Sequence, residues 1–145
     1  MKTIVLYYSH SGNTKAFAHK KALELGADIE EITETKKPFI VVGLYRAATR
    51  KKTAIQPIKA RLDSFDKIII MSPVWKAHPV SAINSAIECL PKGKKVEFIT
   101  VSAGGGTRAS AAGTKALIAA QGCEVVGYTD VQVKQKDDKV LVNEL

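Results

Sequence analysis

The chain has 145 residues, with 22 Lys and Arg against 14 Asp and Glu, a net charge of +8 with the histidines neutral. That length suits one domain burying about two-thirds of its unfolded surface, and ordinary apolar and charged fractions, 46% and 25%, exclude wholesale disorder. No apolar run approaches the ~20 residues that span a bilayer. Met1-Lys2 leads straight into a strand without a small-residue cleavage site, so no signal peptide, no membrane role and a cytoplasmic location are expected. Cys89 and Cys123 lie far apart and form no C-x-x-C, which favours two reduced thiols; three histidines without a second ligand at metal spacing argue against a metal site.

Five apolar runs alternate with helices or long connections. The first strand, Thr3 to Tyr8, ends in Ser9-His10-Ser11-Gly12-Asn13-Thr14. A helix is predicted from about Thr14 to Leu25, with Ala18, Ala22 and Leu25 at i, i+4, i+7 and Gly26 as its stop. Asp28 to Ile32 reads as a short edge strand. Between Lys36 and Arg61 come Lys36, Lys37, Arg46, Arg50, Lys51, Lys52, Lys59 and Arg61 with no acidic residue. These eight charges equal the whole net charge, so the chain carries one basic segment and is otherwise balanced. A weak helical pattern spans Leu44 to Thr53 within it.

Asp66 to Met71 is a continuous β-branched run, the pattern of a central parallel strand buried on both faces, and Ser72-Pro73-Val74-Trp75-Lys76-Ala77-His78-Pro79 follows. The next helix shows Val80, Ile83, Ile87 and Leu90 on one face and closes at Pro91 and Gly93. Lys95 to Val101 forms the fourth strand and leads into Ser102-Ala103-Gly104-Gly105-Gly106. An alanine-rich helix from about Thr107 to Ala120 precedes a fifth strand, Cys123 to Val133. Asp137-Asp138 marks a turn, and residues 134–145 are expected to form a strand or stub, or to leave a sheet face for a second subunit to cover.

Strand–helix alternation implies right-handed βαβ units and a mostly parallel sheet. In such sheets ligands bind beyond the carboxyl ends of the strands. The polar or glycine-rich segments 9–14, 72–79 and 102–106 follow strands one, three and four, so they converge on one edge. The first is too short for G-x-x-x-x-G-K-[ST] and lacks G-x-G-x-x-G. Its hydroxyl side chains and the free amides of a helix start suit a phosphate group.

Ser9, Ser11, Gly12, Asn13 and Thr14 resemble the S/T-x-[ST]-G-N-T phosphate loop of the flavodoxin family, and the resemblance runs from Thr3 to about Val133. It implies a three-layer doubly wound α/β sandwich around a five-stranded parallel sheet of order 2-1-3-4-5, here with the C-terminal helix short or absent, in a single domain spanning 1–145. It further implies FMN as cofactor. The hydroxyls of Ser9, Ser11 and Thr14 and the amides of Gly12 and Asn13 would hold its phosphate, with His10 as an added donor. Ser72-Pro73-Val74-Trp75 resembles the G-S-P-x-W/Y loop of such proteins. A lone tryptophan is commonly core packing, but Trp75, between Pro73 and Pro79, is placed by the resemblance against the flavin ring, with Trp75 to Ala77 facing its N5 and Lys76 or His78 near the ring edge. Ser102, Ala103, Gly104, Gly105 and Gly106 would form the second flavin loop, although a triple glycine also suits a plain turn.

The chain departs from that family in two respects. Electron-shuttling flavodoxins are acidic around the flavin, whereas the segment leaving strand two here is basic; charges that reach the ring would raise its two-electron potential and attract acidic redox proteins or anionic substrates. The C-terminus is also short, which makes a homodimer an expectation. The first reading is therefore an FMN-binding electron-transfer protein with no protein nucleophile, since the C-x5-R phosphatase loop is absent. Nothing resembles a nicotinamide-binding module, which favours a carrier over the alternative, a small FMN-dependent reductase of quinones or other anionic substrates. A nucleic-acid or other basic-surface binding module is a second class, with no RRM or KH pattern to support it, and a flavodoxin-like scaffold that has lost its cofactor is a third, against which the intact 9–14 loop and Trp75 argue.

Overall fold

Ile68, Ile69 and Ile70 are wholly buried at the centre of strand β3 (Lys67–Trp75), and the sheet is built outward from them. The computed structural model describes residues 2–10, 12–35, 54–134 and 139–145. β3 is flanked by β1 (Thr3–Tyr7) and β5 (Lys95–Ser102). β2 (Asp28–Glu31) lies outside β1, and β6 (Glu124–Lys134) and then β7 (Lys139–Glu144) lie outside β5. The pairings β2–β1, β1–β3, β3–β5 and β5–β6 are all parallel, which is the expected order 2-1-3-4-5. The sheet is larger than the five strands expected. β7 returns antiparallel on β6, and the two-residue β4 (His78–Pro79) pairs antiparallel with β3. The C-terminal segment is thus a strand that extends the sheet.

Alternation along the strands sorts the core into two faces. Ile4, Leu6, Tyr8, Ile68, Ile70, Val96 and Phe98 face α2 (Ser81–Glu88) and α3 (Ala111–Ala120), which contribute Ile83, Ile87 and Ile118. Val5, Tyr7, Ile69, Met71, Ile99 and Val101 face α1 (Asn13–Leu25). α1 seats itself through Thr14, Ala18 and Ala22, small residues at i, i+4, i+8 that let the helix approach the sheet closely. Leu25 stays half exposed, so the expected Ala18–Ala22–Leu25 stripe is shifted one turn toward the N-terminus. Gly26, in the left-handed region at φ 61°, ends the helix by donating to the carbonyls of Ala22 and Leu23.

The other helices fall near their predicted spans. Val80, Ile83, Ile87 and Leu90 are all buried as their spacing predicts. α3 begins one turn later than expected, because Thr107 is engaged elsewhere. The pattern at Leu44 to Thr53 lies outside the described residues. No helix among the described residues is long and apolar enough to cross a membrane.

Candidate functional site at the carboxyl edge of the sheet

The connection from β1 to α1 turns at Gly12, whose φ of 94° is one that side-chain-bearing residues rarely adopt. The open space where its Cβ would stand faces no other atom within 4 Å. Ser9 Oγ accepts hydrogen bonds from the amides of Gly12 (3.1 Å) and Lys15 (3.3 Å), so this hydroxyl shapes the loop and keeps its own proton to donate. Asn13 and Thr14 begin α1 and line a cleft. Their amides belong to the first turn, which has no intrahelical acceptors. His10 lines the same cleft, while Ser11 lies outside the described residues.

The segment expected as a loop after strand three is instead strand and hairpin. β3 runs through Ser72, Pro73 and Val74 to Trp75, and Trp75 pairs with His78 and Val74 with Pro79. The two-residue turn between them places Lys76 at φ 48° and Ala77 at φ 59°, the left-handed pair that a type I′ hairpin requires. Ser72 is wholly buried, with Oγ accepting from the Val80 amide (3.1 Å) and donating to the Pro73 carbonyl (2.8 Å). It ties the hairpin to the start of α2 and does not line the cleft, whereas Pro73 to Ala77 do. His78 turns away, its Nδ1 bonded to the Lys76 carbonyl at 2.8 Å. Trp75 is partly buried, its indole perpendicular to the rings of Tyr8 (6.5 Å) and His10 (5.3 Å). It is both a core contact and a cleft wall.

The third wall is Ser102 to Gly106, joined by Val101, which the sequence reading did not single out. Ser102 Oγ donates to the Gly105 carbonyl at 2.8 Å and curls the loop back on itself. Behind it stands a polar cluster that was likewise missed. Asp130 of β6 is buried and accepts from Thr100 Oγ1 (2.5 Å), Thr107 Oγ1 (2.6 Å) and the Thr107 amide (2.7 Å). Thr107 spends its one proton on Asp130, so the 2.7 Å contact with Tyr128 has the tyrosine hydroxyl as donor. The signal available in the sequence was an acid in mid-strand, Thr129-Asp130-Val131, where only a satisfied carboxylate is tolerated.

Together the three walls enclose a cleft of about 350 Å³, within the range of small-molecule sites. Among the described residues no acidic side chain lines it; His10 and Lys76 do. The basic segment contributes nothing to these walls among the described residues. The Lys59 amide is held by Glu30 (2.8 Å). Arg61 precedes the 3₁₀ turn Leu62–Ser64 at the amino end of β3, on the opposite edge. Lys36, Lys37, Arg46, Arg50, Lys51 and Lys52 lie outside the described residues. No cluster of potential metal ligands occurs among the described residues, and both cysteines are free thiols.

A family model described as NADPH-dependent FMN reductase matches residues 1–138. The chain is similar to a flavoprotein from Lactobacillus acidophilus NCFM solved in complex with FMN. The identity is 25%, covering 89% of this chain and 92% of that one, with a TM-score of 0.75. A WrbA-like flavodoxin from Agrobacterium tumefaciens (20% identity, 86% and 76% covered, TM-score 0.61) and oxidised Flavodoxin 2 from Bacillus cereus (19%, 94% and 88%, 0.58) share the fold. A comparison with curated proteins found no match.

Proposed function

Because the chain belongs to the NADPH-dependent FMN reductase family and is thus an FMN-binding flavoprotein, we propose that it is an FMN-dependent reductase. Its cofactor would lie in the carboxyl-edge cleft, and reduced nicotinamide would be the electron donor. The observation that carries this reading is the fit of the cleft. One wall is the first turn of α1 beside the empty space at Gly12, and the opposite wall holds Gly104 and Gly105, where nothing stands within 4 Å of an added Cβ. An anionic tail suits the first wall and a flat ring approached closely by backbone suits the second.

FMN, when bound, supplies the hydride-accepting and electron-donating chemistry. The chain supplies position and field. The Asn13 and Thr14 amides and the Thr14 hydroxyl hold the phosphate against the helix dipole. Trp75 closes one side of the cleft and excludes water. Lys76 and His10, both lining the cleft, favour an anionic acceptor, the phosphates of a nicotinamide nucleotide or an acidic redox protein.

The test is a visible absorption spectrum of the purified protein and identification of any released cofactor, followed by anaerobic addition of NADPH. A flavin spectrum bleached by NADPH is expected. A protein that stays colourless with excess FMN overturns the reading. A yellow protein unchanged by NADPH or NADH but reduced by another redox protein replaces the reductase with an electron carrier.

A further inference from the structure

The three glycines of the second loop are not equivalent. Gly104 and Gly105 border open space, but a Cβ on Gly106 would lie 2.5 Å from Asp130 Oδ2 and 3.3 Å from its Cγ. Gly106 is therefore fixed from behind, by a side chain of the next strand, β6, and not by the cleft. The same carboxylate takes the amide and hydroxyl of Thr107, the residue that follows the glycines. It is anchored in turn by Thr100, its register partner across β5 and β6. That register depends on a bulge between Val96 and Glu97: Val96 pairs with Val125 but Glu97 pairs with Gly127. The extra residue sets the faces of β6 so that Asp130 sits opposite Thr100.

Asp130 accepts three hydrogen bonds from these partners and donates none to them, the bonding pattern of an ionised carboxylate. A buried acid at this place serves no core packing. It fastens the loop that lines the cleft, and it puts a negative charge directly behind that loop, where the described lining of the cleft carries none.

Resting on the FMN reading above, we propose that Asp130 is the positioning residue of this cleft: it holds Gly106 and Thr107 in the shape that grips the flavin, and its charge biases the bound flavin toward the oxidised form. A ring that gains negative charge on reduction meets a fixed anion behind the wall, so reduced flavin is held less tightly than it would be over a neutral residue. By linkage, weaker binding of the reduced form is a lower potential.

The experiment compares wild type with Asp130→Asn, Thr107→Val and Thr107→Ser. It reads the FMN dissociation constant by fluorescence quenching and the two-electron potential by equilibration with a reference dye. Asp130→Asn is expected to weaken oxidised FMN about tenfold and to favour the reduced over the oxidised form by about tenfold, an upward shift of about 30 mV. Thr107→Val, which keeps the charge and loses both bonds of the hydroxyl, to Asp130 and from Tyr128, weakens FMN with little change in potential, and Thr107→Ser restores wild-type affinity. Wild-type affinity and potential in folded Asp130→Asn overturn the proposal. Should Asp130→Asn fail to fold, equal affinities of Thr107→Val and Thr107→Ser overturn it. A wild-type chain that takes up no FMN overturns the underlying cofactor reading and this one with it, whereas a wild type that binds FMN beside an unchanged variant removes only the role of Asp130.

Discussion

Ser110 Oγ donates a 2.7 Å hydrogen bond to the carbonyl of Ala77, so the turn at the tip of the β3–β4 hairpin is fastened to the residue before α3. Two of the three cleft walls are thereby joined, and Ala77 is held where its φ of 59° costs about 1 kcal/mol relative to glycine. Ser110→Ala is expected to destabilise the fold by about 1 kcal/mol and to weaken FMN, as the hairpin drifts from the glycine loop. Ala77→Gly relieves the backbone and should raise stability by roughly 0.5–1 kcal/mol. Urea unfolding of both variants checks the signs; a destabilised Ala77→Gly would mean the turn carries no strain.

In the proposed site Thr14 and Trp75 would address opposite ends of the ligand, and riboflavin, which lacks the phosphate, separates them. Thr14 is buried at the start of α1 and lines the cleft. Thr14→Ala should weaken FMN by at least about tenfold, the worth of a hydrogen bond to a charged group, and leave riboflavin affinity nearly unchanged. Trp75→Ala removes a flat wall whose aromatic contact is worth ~0.5–1.5 kcal/mol beyond its area, so it should weaken FMN and riboflavin alike and alter the flavin spectrum. Fluorescence titration with both ligands decides. Equal losses of the two ligands in Thr14→Ala would remove the phosphate from the α1 end.

Cys89 is exposed at the end of α2, but partial burial first, and the neighbouring Glu88 second, push its thiol pKa up from the ordinary 9.0. The nucleophilic thiolate is correspondingly scarce at neutral pH. Iodoacetamide labelling followed by mass spectrometry should find Cys89 slower than a free cysteine at neutral pH and accelerating as pH rises past 9. Glu88→Gln should speed it by roughly twofold at fixed pH. Cys123, buried and bonded to the Pro91 carbonyl at 3.1 Å, should label only on unfolding. Fast labelling of Cys89 at neutral pH would show an activating neighbour in place of this one.

What sequence revealed and what it concealed divide along physical lines. The β-branched runs of β1, β3 and β5 are buried on both faces and read directly as central parallel strands. The segments after them converge because parallel strands share one carboxyl edge. The β3–β4 hairpin was hidden because Lys76-Ala77 lacks the Asn-Gly or Asp-Gly pair that usually marks a type I′ turn, and because two prolines there read as loop. Leu25 was misplaced because α1 seats on the sheet through Thr14, Ala18 and Ala22, which leaves its last residue half exposed. The Asp130 cluster was invisible for a different reason: it joins residues 100, 107, 128 and 130 through a register set by one bulge, and no local pattern encodes a bulge of that kind. The return strand β7 was one of the alternatives that the short C-terminus left open.

Tyr8, which follows β1, is buried, with the carboxylates of Glu34 and Glu31 acting on its hydroxyl. Burial is the larger cause and the Glu34 carboxylate the next, and both raise the phenol well above its ordinary 10.0. In the unfolded chain Tyr8 deprotonates near pH 10, while in the fold it keeps its proton. The stabilisation is therefore fully present below about pH 10 and is lost as pH climbs from the unfolded value toward the folded one. Thermal melts should show a steep alkaline fall in wild type. The fall should be shallower in Tyr8→Phe, which removes the titrating group, and is not abolished, because Tyr7 is also raised, by burial and then by Glu31. Identical alkaline slopes in the two proteins would show that Tyr8 titrates in the fold as it does in the unfolded chain.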